Sequence, residues 1–353
     1  MYKSRKQIFD ELFPDAKAFR WKQATTALFD ASYTSWNDVT SLPDEMRATL
    51  EREVPWMSVK PALVQESSKR DTFKAALEVD GGQHIESVLM MNARGYWTIC
   101  VSSQVGCAMR CGFCATGKMG LVRSLDTDEI VDQYRFWVQF LREHPDLPSR
   151  ISNVVFMGMG EPMANYENVR ATLNTWLAYT DLGLTRLTVS TVGILPRLDQ
   201  LLNDPEWPHV RLAVSLHSAD PIVRKRIVPT SYDDFLPKLA DWARRYLLTF
   251  GNRRHHLTFE YVMLSGVNDT DEQARQLAKF VASVGNVRVN LIPYNFTGIE
   301  FQCSNPASLD RFQAILEDHG VTVTRRRTMG DDIAAACGQL ATETDAQTPQ
   351  TQS

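Results

Sequence analysis

Thr98-Ile-Cys-Val-Ser-Ser-Gln-Val-Gly-Cys-Ala-Met-Arg-Cys-Gly-Phe-Cys114 is the stretch that decides the architecture. It opens as a short apolar strand and closes on C-x3-C-x2-C, the cysteines being Cys107, Cys111 and Cys114. Downstream, strand-like segments at 153–157, 186–190, 210–215, 258–263 and 287–292 alternate with amphipathic helices such as 128–141, 168–179, 234–246 and 271–284. Repeated strand-then-helix order predicts an α/β fold with a parallel sheet covered by helices. Six strands, counting the one at Thr98, suit an open sheet or an incomplete barrel. A last strand at 321–325 follows a helix at 308–318. Polar, unusual residues sit just after the strands: the cysteines, Gly158-Met-Gly-Glu161, Ser190-Thr-Val-Gly193, Ser215-Leu-His217 and Pro293-Tyr-Asn295. Active sites of parallel α/β folds lie at the carboxyl ends of the strands. Five such segments together are hard to explain by packing alone.

Upstream, residues 1–66 read as a small helical domain. Residues 73–79 and 85–90, joined by Asp80-Gly81-Gly82, read as a β-hairpin at the start of a main domain spanning 67–340. The polar end, 341–353, reads as disordered. The chain has 353 residues, 44% hydrophobic and 10% aromatic, enough to bury a full core. No apolar run approaches a membrane span, and MYKSRKQIFDELF has charges where a signal peptide needs an apolar stretch. The expectation is a cytoplasmic, non-secreted protein. A net charge of −4 means that nucleic-acid binding must use local basic patches. Candidates are Arg224-Lys-Arg226, Arg253-Arg254, Arg325-Arg-Arg327 and the aromatic-basic run Phe19-Arg-Trp-Lys22. Most such runs are merely solvated faces.

Clustered cysteines in a cytosolic chain read as metal-binding or catalytic. A structural zinc site normally needs four ligands, usually as two separated pairs. Three close thiols instead suit three irons of a cubane cluster. The fourth iron is then free to bind an N,O-chelating amino-acid moiety, such as that of S-adenosylmethionine. A zinc knuckle with a distant fourth ligand, or unligated core cysteines, are the alternatives.

The cysteine motif, with aromatic Phe113 before the last thiol, is similar to the radical S-adenosylmethionine superfamily signature. More of the chain resembles one family within it. The matching segments are Ser102-Ser-Gln-Val-Gly-Cys107, Phe156-Met-Gly-Met-Gly-Glu-Pro162, Ser215-Leu-His-Ser218, Glu260-Tyr-Val-Met-Leu264 with Gly266-Val-Asn-Asp269, Leu291-Ile-Pro-Tyr-Asn295 and Gly330-Asp-Asp-Ile-Ala-Ala-Ala-Cys-Gly-Gln-Leu340. Together they resemble the RlmN/Cfr family of RNA adenine methyltransferases, over about residues 6–341.

The resemblance implies an incomplete parallel (β/α)6 barrel with an N-terminal helical accessory domain that binds RNA. It implies a [4Fe–4S] cluster on Cys107, Cys111 and Cys114, and two S-adenosylmethionine molecules per turnover. Gly160, Glu161, Ser190, Ser215, Leu216, His217 and Asn295 match cofactor contacts. Cys337, which among alanines would by itself be read as structural, matches the thiol that is methylated and delivers the carbon. Cys100, otherwise a core residue, matches the thiol that resolves the adduct through a transient disulfide. Glu86, otherwise an ordinary solvent-facing strand residue, matches the proton-abstracting base. Cys303 matches no functional position.

In the implied reaction a radical made from the second S-adenosylmethionine removes hydrogen from the Cys337 methyl thioether, whose carbon then adds to adenine. The substrate expected is 23S rRNA, with tRNA as a further one. An external electron donor such as flavodoxin is expected, as is a monomer. Gly330-Asp-Asp-Ile333 leans towards carbon 2 of adenine. Cys111-Gly-Phe-Cys-Ala-Thr-Gly117 fits the carbon-8 branch equally, which would confer antibiotic resistance on ribosomes. A non-catalytic iron–sulfur RNA-binding protein would need neither Cys100 nor Cys337.

Overall fold

A computed structural model describes residues 3–251, 257–298 and 301–341. Three helices lead the chain: α1 (Arg5–Leu12), α2 (Ala18–Leu28) and α3 (Asp44–Glu53). Ser4 and Gln7 start α1 as a capping box, the Ser4 hydroxyl accepting from the Gln7 N–H and the Gln7 side chain accepting from the Ser4 N–H. These helices enclose their own small core of Phe9, Leu28, Trp36, Leu50 and Val54. The Trp36 indole donates to the Val54 carbonyl at 2.7 Å.

A strand the sequence reading placed with the helical part, β1 (Lys60–Glu66), pairs with β2 (Thr72–Val79). Nearly all of β1 is exposed, so no apolar alternation marked it. The expected hairpin is β2 with β3 (Gln83–Met91), turned at Gly81 and Gly82, both at positive φ. The chain continues through β4 (Trp97–Cys100), β5 (Gln104–Gly106), α4 (Ala115–Met119), β6 (Leu121–Ser124) and α5 (Thr127–Glu143). It then runs β7 (Ile151–Phe156), α6 (Tyr166–Tyr179), β8 (Leu187–Thr191), α7 (Leu195–Asn203), β9 (Arg211–Ser215), α8 (Pro221–Ile227) and α9 (Phe235–Phe250). Last come β10 (Leu257–Met263), α10 (Asp271–Val284), β11 (Arg288–Pro293), α11 (Pro306–Asp318) and β12 (Thr322–Arg325).

One sheet carries the order β1-β2-β3-β4-β7-β8-β9-β10-β11-β12, and every pairing from β4 onward is parallel. The six-strand α/β unit expected from the sequence is therefore present, extended by β12 on one edge and the antiparallel β1–β3 on the other. The remaining strands, β5 and β6, pair with each other and flank the cysteine loop.

Alternation along the strands separates two faces. Val154, Val189, Leu212, Phe259 and Val289 pack outward with Trp137, Trp176, Trp242, Leu277 and Phe312 of the helices, forming the main core. The opposite face carries Thr98, Asn153, Thr188, Thr258 and Asn290, which line a polar cavity of about 250 Å³ inside the curved sheet. The centre is thus not filled with hydrocarbon.

The helical part docks on α5 through a buried ion network. Asp132 takes Arg5 from α1 and Arg135 from its own helix, and accepts the Ser58 N–H at 2.6 Å. Arg135 also donates to the carbonyls of Leu28 (2.6 Å) and Trp56 (2.8 Å).

Candidate active site

Cys107, Cys111 and Cys114 lie in the loop between β5 and α4. The loop is held at both ends: the Cys107 N–H donates to Gly120 O at 2.8 Å, and Gly112 N–H to Ile227 O at 2.9 Å. Glycine is needed just after it, in α4, because a Cβ at Gly117 would stand 2.9 Å from Cys111 O and 3.0 Å from Cys111 N. Cys107 and Cys111 are buried and Cys114 is half-buried. Burial pushes the Cys107 thiol up to about 12 and lifts Cys111 and Cys114 as well, and neighbouring thiols add to each rise. Three mutually repelling thiolates become favourable only with added positive charge, which iron supplies. Among the described residues no three His, Cys, Asp or Glu side chains are arranged to hold a single metal ion. Thiols serving separate irons of a cubane stand wider than ligands of one ion, and this donor set fits that group.

Residues 330–340 fold over the carboxyl end of the sheet as an irregular strap. Gly330, Ala334 and Gly338 have positive φ, and a Cβ at Gly330 would meet Thr72 at 2.6 Å. This explains the run of small residues. The strap clasps the cysteine loop: Ala115 N–H donates to Gly338 O at 2.8 Å and Thr116 Oγ1 to Leu340 O at 2.6 Å. Its exposed Cys337 and the buried Cys100, at the end of β4, line the same cavity of about 600 Å³. Burial, and then Cys337, pushes the Cys100 thiol up to about 12. Cys337 also raises Cys114 by its charge. The two thiols singled out in the sequence therefore meet around one space, and the cysteine loop is clasped to the strap beside it. Exposed Cys303 lies apart, in an isolated bridge with Leu264.

The other predicted contacts ring this end of the sheet. Gly160 has φ +97 and no room for a Cβ against Gln104. The Glu161 carboxylate is buried and accepts the N–H groups of Met163 (2.9 Å) and Val192 (2.8 Å), tying the turns after β7 and β8 together. Burial raises its pKa against these bonds. Ser190 and Ser215 end on β8 and β9, and Leu216 follows, fully buried, its N–H donating to Glu260 O. His217 has φ +58, its Nδ1 accepts the Val262 N–H at 3.1 Å, and its ring meets Phe113 edge-on at 4.7 Å. Burial, and then Arg224, lowers it to about 3, so the ring is neutral with its proton on Nε2. The Asn295 amide donates to Cys337 O at 3.1 Å and supports the strap.

Glu86 is not the solvent-facing residue that the sequence taken alone suggested. It is 1% exposed, two positions from Val88, which pairs with Cys100. Lys74 of β2 reaches Glu86 at 3.1 Å and donates to Ala334 O at 3.3 Å, linking this carboxylate to the strap.

Two of the basic runs change meaning. Arg224 is buried, donates to Leu216 O and Val192 O, and lies 3.7 Å over the Phe235 ring. In the Arg325-Arg-Arg327 run, Arg325 pairs with Asp310 at 2.8 Å and Arg326 turns into the cavity, where its guanidinium meets Cys337. Sequence reasoning read Arg326 as a surface cation and did not single out Lys74, because a charge run or a strand lysine carries no sign of where its side chain points. Arg327 and Lys69 line the cavity and are exposed. Arg253 and Arg254 lie outside the described residues.

The family model described as Radical SAM superfamily matches residues 101–280. The chain is 41% identical to a "Probable dual-specificity RNA methyltransferase RlmN" of Rhodopirellula baltica over 92% of this chain and 85% of that protein. It is 38% identical to the "Dual-specificity RNA methyltransferase RlmN" of Alkalilimnicola ehrlichii, covering 95% of this chain and 91% of that one. A crystal structure of a radical SAM methyltransferase from Sphaerobacter thermophilus superposes with a TM-score of 0.87 at 35% identity, covering 97% of this chain and 98% of that chain. With its cysteine loop, strap and paired thiols in place, the chain belongs to the RlmN family of radical SAM RNA methyltransferases.

Proposed function

We propose that this enzyme methylates carbon 2 of adenine in 23S rRNA, and in tRNA as well, with Cys337 as the methyl carrier. The observation that carries the reading is the shared cavity of Cys100 and Cys337, closed on one side by the strap that grips the cysteine loop. The "dual-specificity" in the relatives' names favours more than one RNA.

Cys107, Cys111 and Cys114 hold the cluster, and the turns at Gly160–Glu161, Ser190, Ser215–His217 and Asn295 hold S-adenosylmethionine beside it. When bound, these groups supply the methyl carbon and, by one-electron cleavage, the hydrogen-abstracting radical, using two S-adenosylmethionine molecules per turnover. The protein's side chains do the rest. Cys337 Sγ takes the methyl group. An unstacked adenine enters the cavity and is joined through that carbon to Cys337. Glu86, 3.1 Å from Lys74, takes the ring proton. Cys100 then attacks Cys337: the S–S bond forms, the Cys337 S–C bond breaks with its electron pair on carbon, that carbon takes a proton to become the methyl group, and the base departs. An external reductant restores both thiols. Residues 1–66 act as an RNA-binding accessory domain, an external electron donor such as flavodoxin feeds the cluster, and the enzyme works as a cytoplasmic monomer.

The test is Cys100→Ala isolated from cells and digested with nuclease and protease. A methylene bridge from Cys337 to adenine is expected, while Cys337→Ala should keep its iron and leave RNA unmethylated. Normal turnover by Cys100→Ala with an unmodified Cys337 would overturn the mechanism. Mass spectrometry of RNA from deletion and overproducing cells separates carbon 2 from carbon 8, and rRNA from tRNA.

A further inference from the structure

We infer that Arg326 is a positioning residue for the methyl-carrying sulfur, an assignment resting on the reading of Cys337 above. Its backbone N–H donates to Leu291 O at 2.9 Å, fixing it against β11 and turning its side chain over the cavity. One guanidinium then meets three groups. Nη1 donates to Cys337 Sγ at 3.6 Å, Nη2 contacts Met157 Sδ at 3.0 Å, and Nε lies 3.6 Å from Glu260 Oε2. Glu260 is buried on β10, and its other oxygen accepts from Asn290 of β11 at 2.8 Å. The sulfur is thus connected through Arg326, Glu260 and Asn290 to the floor of the sheet.

A surface phosphate contact needs none of this bracing. Burial works against the Arg326 cation, and Glu260, then Cys337 and Cys100, outweigh it. The planar guanidinium holds its donors in a fixed fork towards these groups, whereas a lysine ammonium is a point charge on a flexible stem. An N–H···S contact strengthens as the sulfur gains negative charge, the form in which it takes an electrophilic carbon. Facing Cys337 from other elements are Cys100 of β4 and Cys114 of the cysteine loop, with Lys74 of β2 bonded nearby to Ala334 O. Arg326 is the cation bonded to the sulfur itself.

The experiment uses protein from iron-starved cells, reconstituted with iron and sulfide without added S-adenosylmethionine, its Cys337 first shown by peptide mass to be unmethylated. Iodoacetamide is added near neutral pH: the S–C bond forms, iodide leaves and buffer takes the thiol proton. Peptide mass spectrometry follows Cys337, with exposed Cys303 as internal reference. Arg326→Gln should slow Cys337 about tenfold relative to Cys303, and Arg326→Lys should recover part of the loss. Glu260→Gln, which removes the brace and leaves the arginine, should also slow it. An unchanged or faster Cys337 rate in Arg326→Gln overturns the assignment. If that variant does not fold, an unchanged rate in both Arg326→Lys and Glu260→Gln overturns it instead. Slowed alkylation in Arg326→Gln together with full RNA methylation by Cys337→Ala would sink the methyl-carrier reading, and with it the catalytic purpose of Arg326, while showing that Arg326 still acts on the Cys337 sulfur.

Discussion

Cys100 must act as an anion, yet burial and the neighbouring Cys337 push its thiol up to about 12, against a smaller opposing effect of the Met157 backbone and Arg326. Below that value the thiol is neutral, and each unit of rising pH increases the thiolate fraction about tenfold. Release of RNA from Cys337 in a single turnover should therefore accelerate by roughly that factor per pH unit between neutrality and mild alkali. Rapid-quench measurement of the protein–RNA adduct checks this, and a flat profile would show that another step or another thiol resolves it. The same residue shows the reach of sequence reading. A cysteine after three strand residues looks like core, and it is indeed 5% exposed. What the spacing alone could not disclose is the cavity at its sulfur, because that depends on the strap arriving from more than two hundred positions away.

At the scale of elements, the cysteine loop is set by backbone contacts that leave no room for side chains. In Gly117→Ala the new methyl would press on Cys111 O and N, both backbone atoms. Overpacking of this kind costs about 1–3 kcal/mol. We expect less than half the wild-type iron per chain after reconstitution, with a lowered melting temperature in the cluster-free protein. Full iron loading in that variant would mean the loop is more adaptable than its packing indicates. Strand existence was legible where alternation or apolar runs were long, as in β7 to β11. It was not legible in β1, whose residues are nearly all exposed, or in β5 and β6, which are three and four residues long. Such segments are made into strands by the partners beside them.

For the whole molecule, the buried Asp132 joins the helical part to the barrel. Asp132→Ala leaves the buried Arg135 guanidinium without its carboxylate and Arg5 with Asp128 on one side only, and should cost about 3–5 kcal/mol. Limited proteolysis should then cut the segment between α3 and β1 faster than in wild type, and equal resistance would show that docking rests on packing alone. RNA affinity belongs to this scale too. With Arg325 paired to Asp310 and Arg326 inside, the exposed cations at the cavity are Lys69 and Arg327. Replacing both with Gln should weaken RNA binding and flatten the dependence of log K on log salt by up to ~1.4 for single strands, from two lost phosphate contacts at ~0.7 each. Arg325→Gln should change neither, and a loss there would return the surface role to the whole run.

The amino-acid sequence by itself determined the β/α alternation, the placing of chemistry at the strand ends, the three-thiol loop and, through resemblance, the family. These are properties of periodicity and short spacing, which a chain carries locally. The tertiary structure decided which side chains turn inward. It buried Glu86 beside Lys74, bent Arg326 from a basic run onto a sulfur, took Arg224 out of the surface, and brought Cys337 to Cys100. Each outcome depends on the face of a strand or the direction of a loop relative to an element far away in sequence. Local pattern carries no term for that, and only the packed chain supplies it.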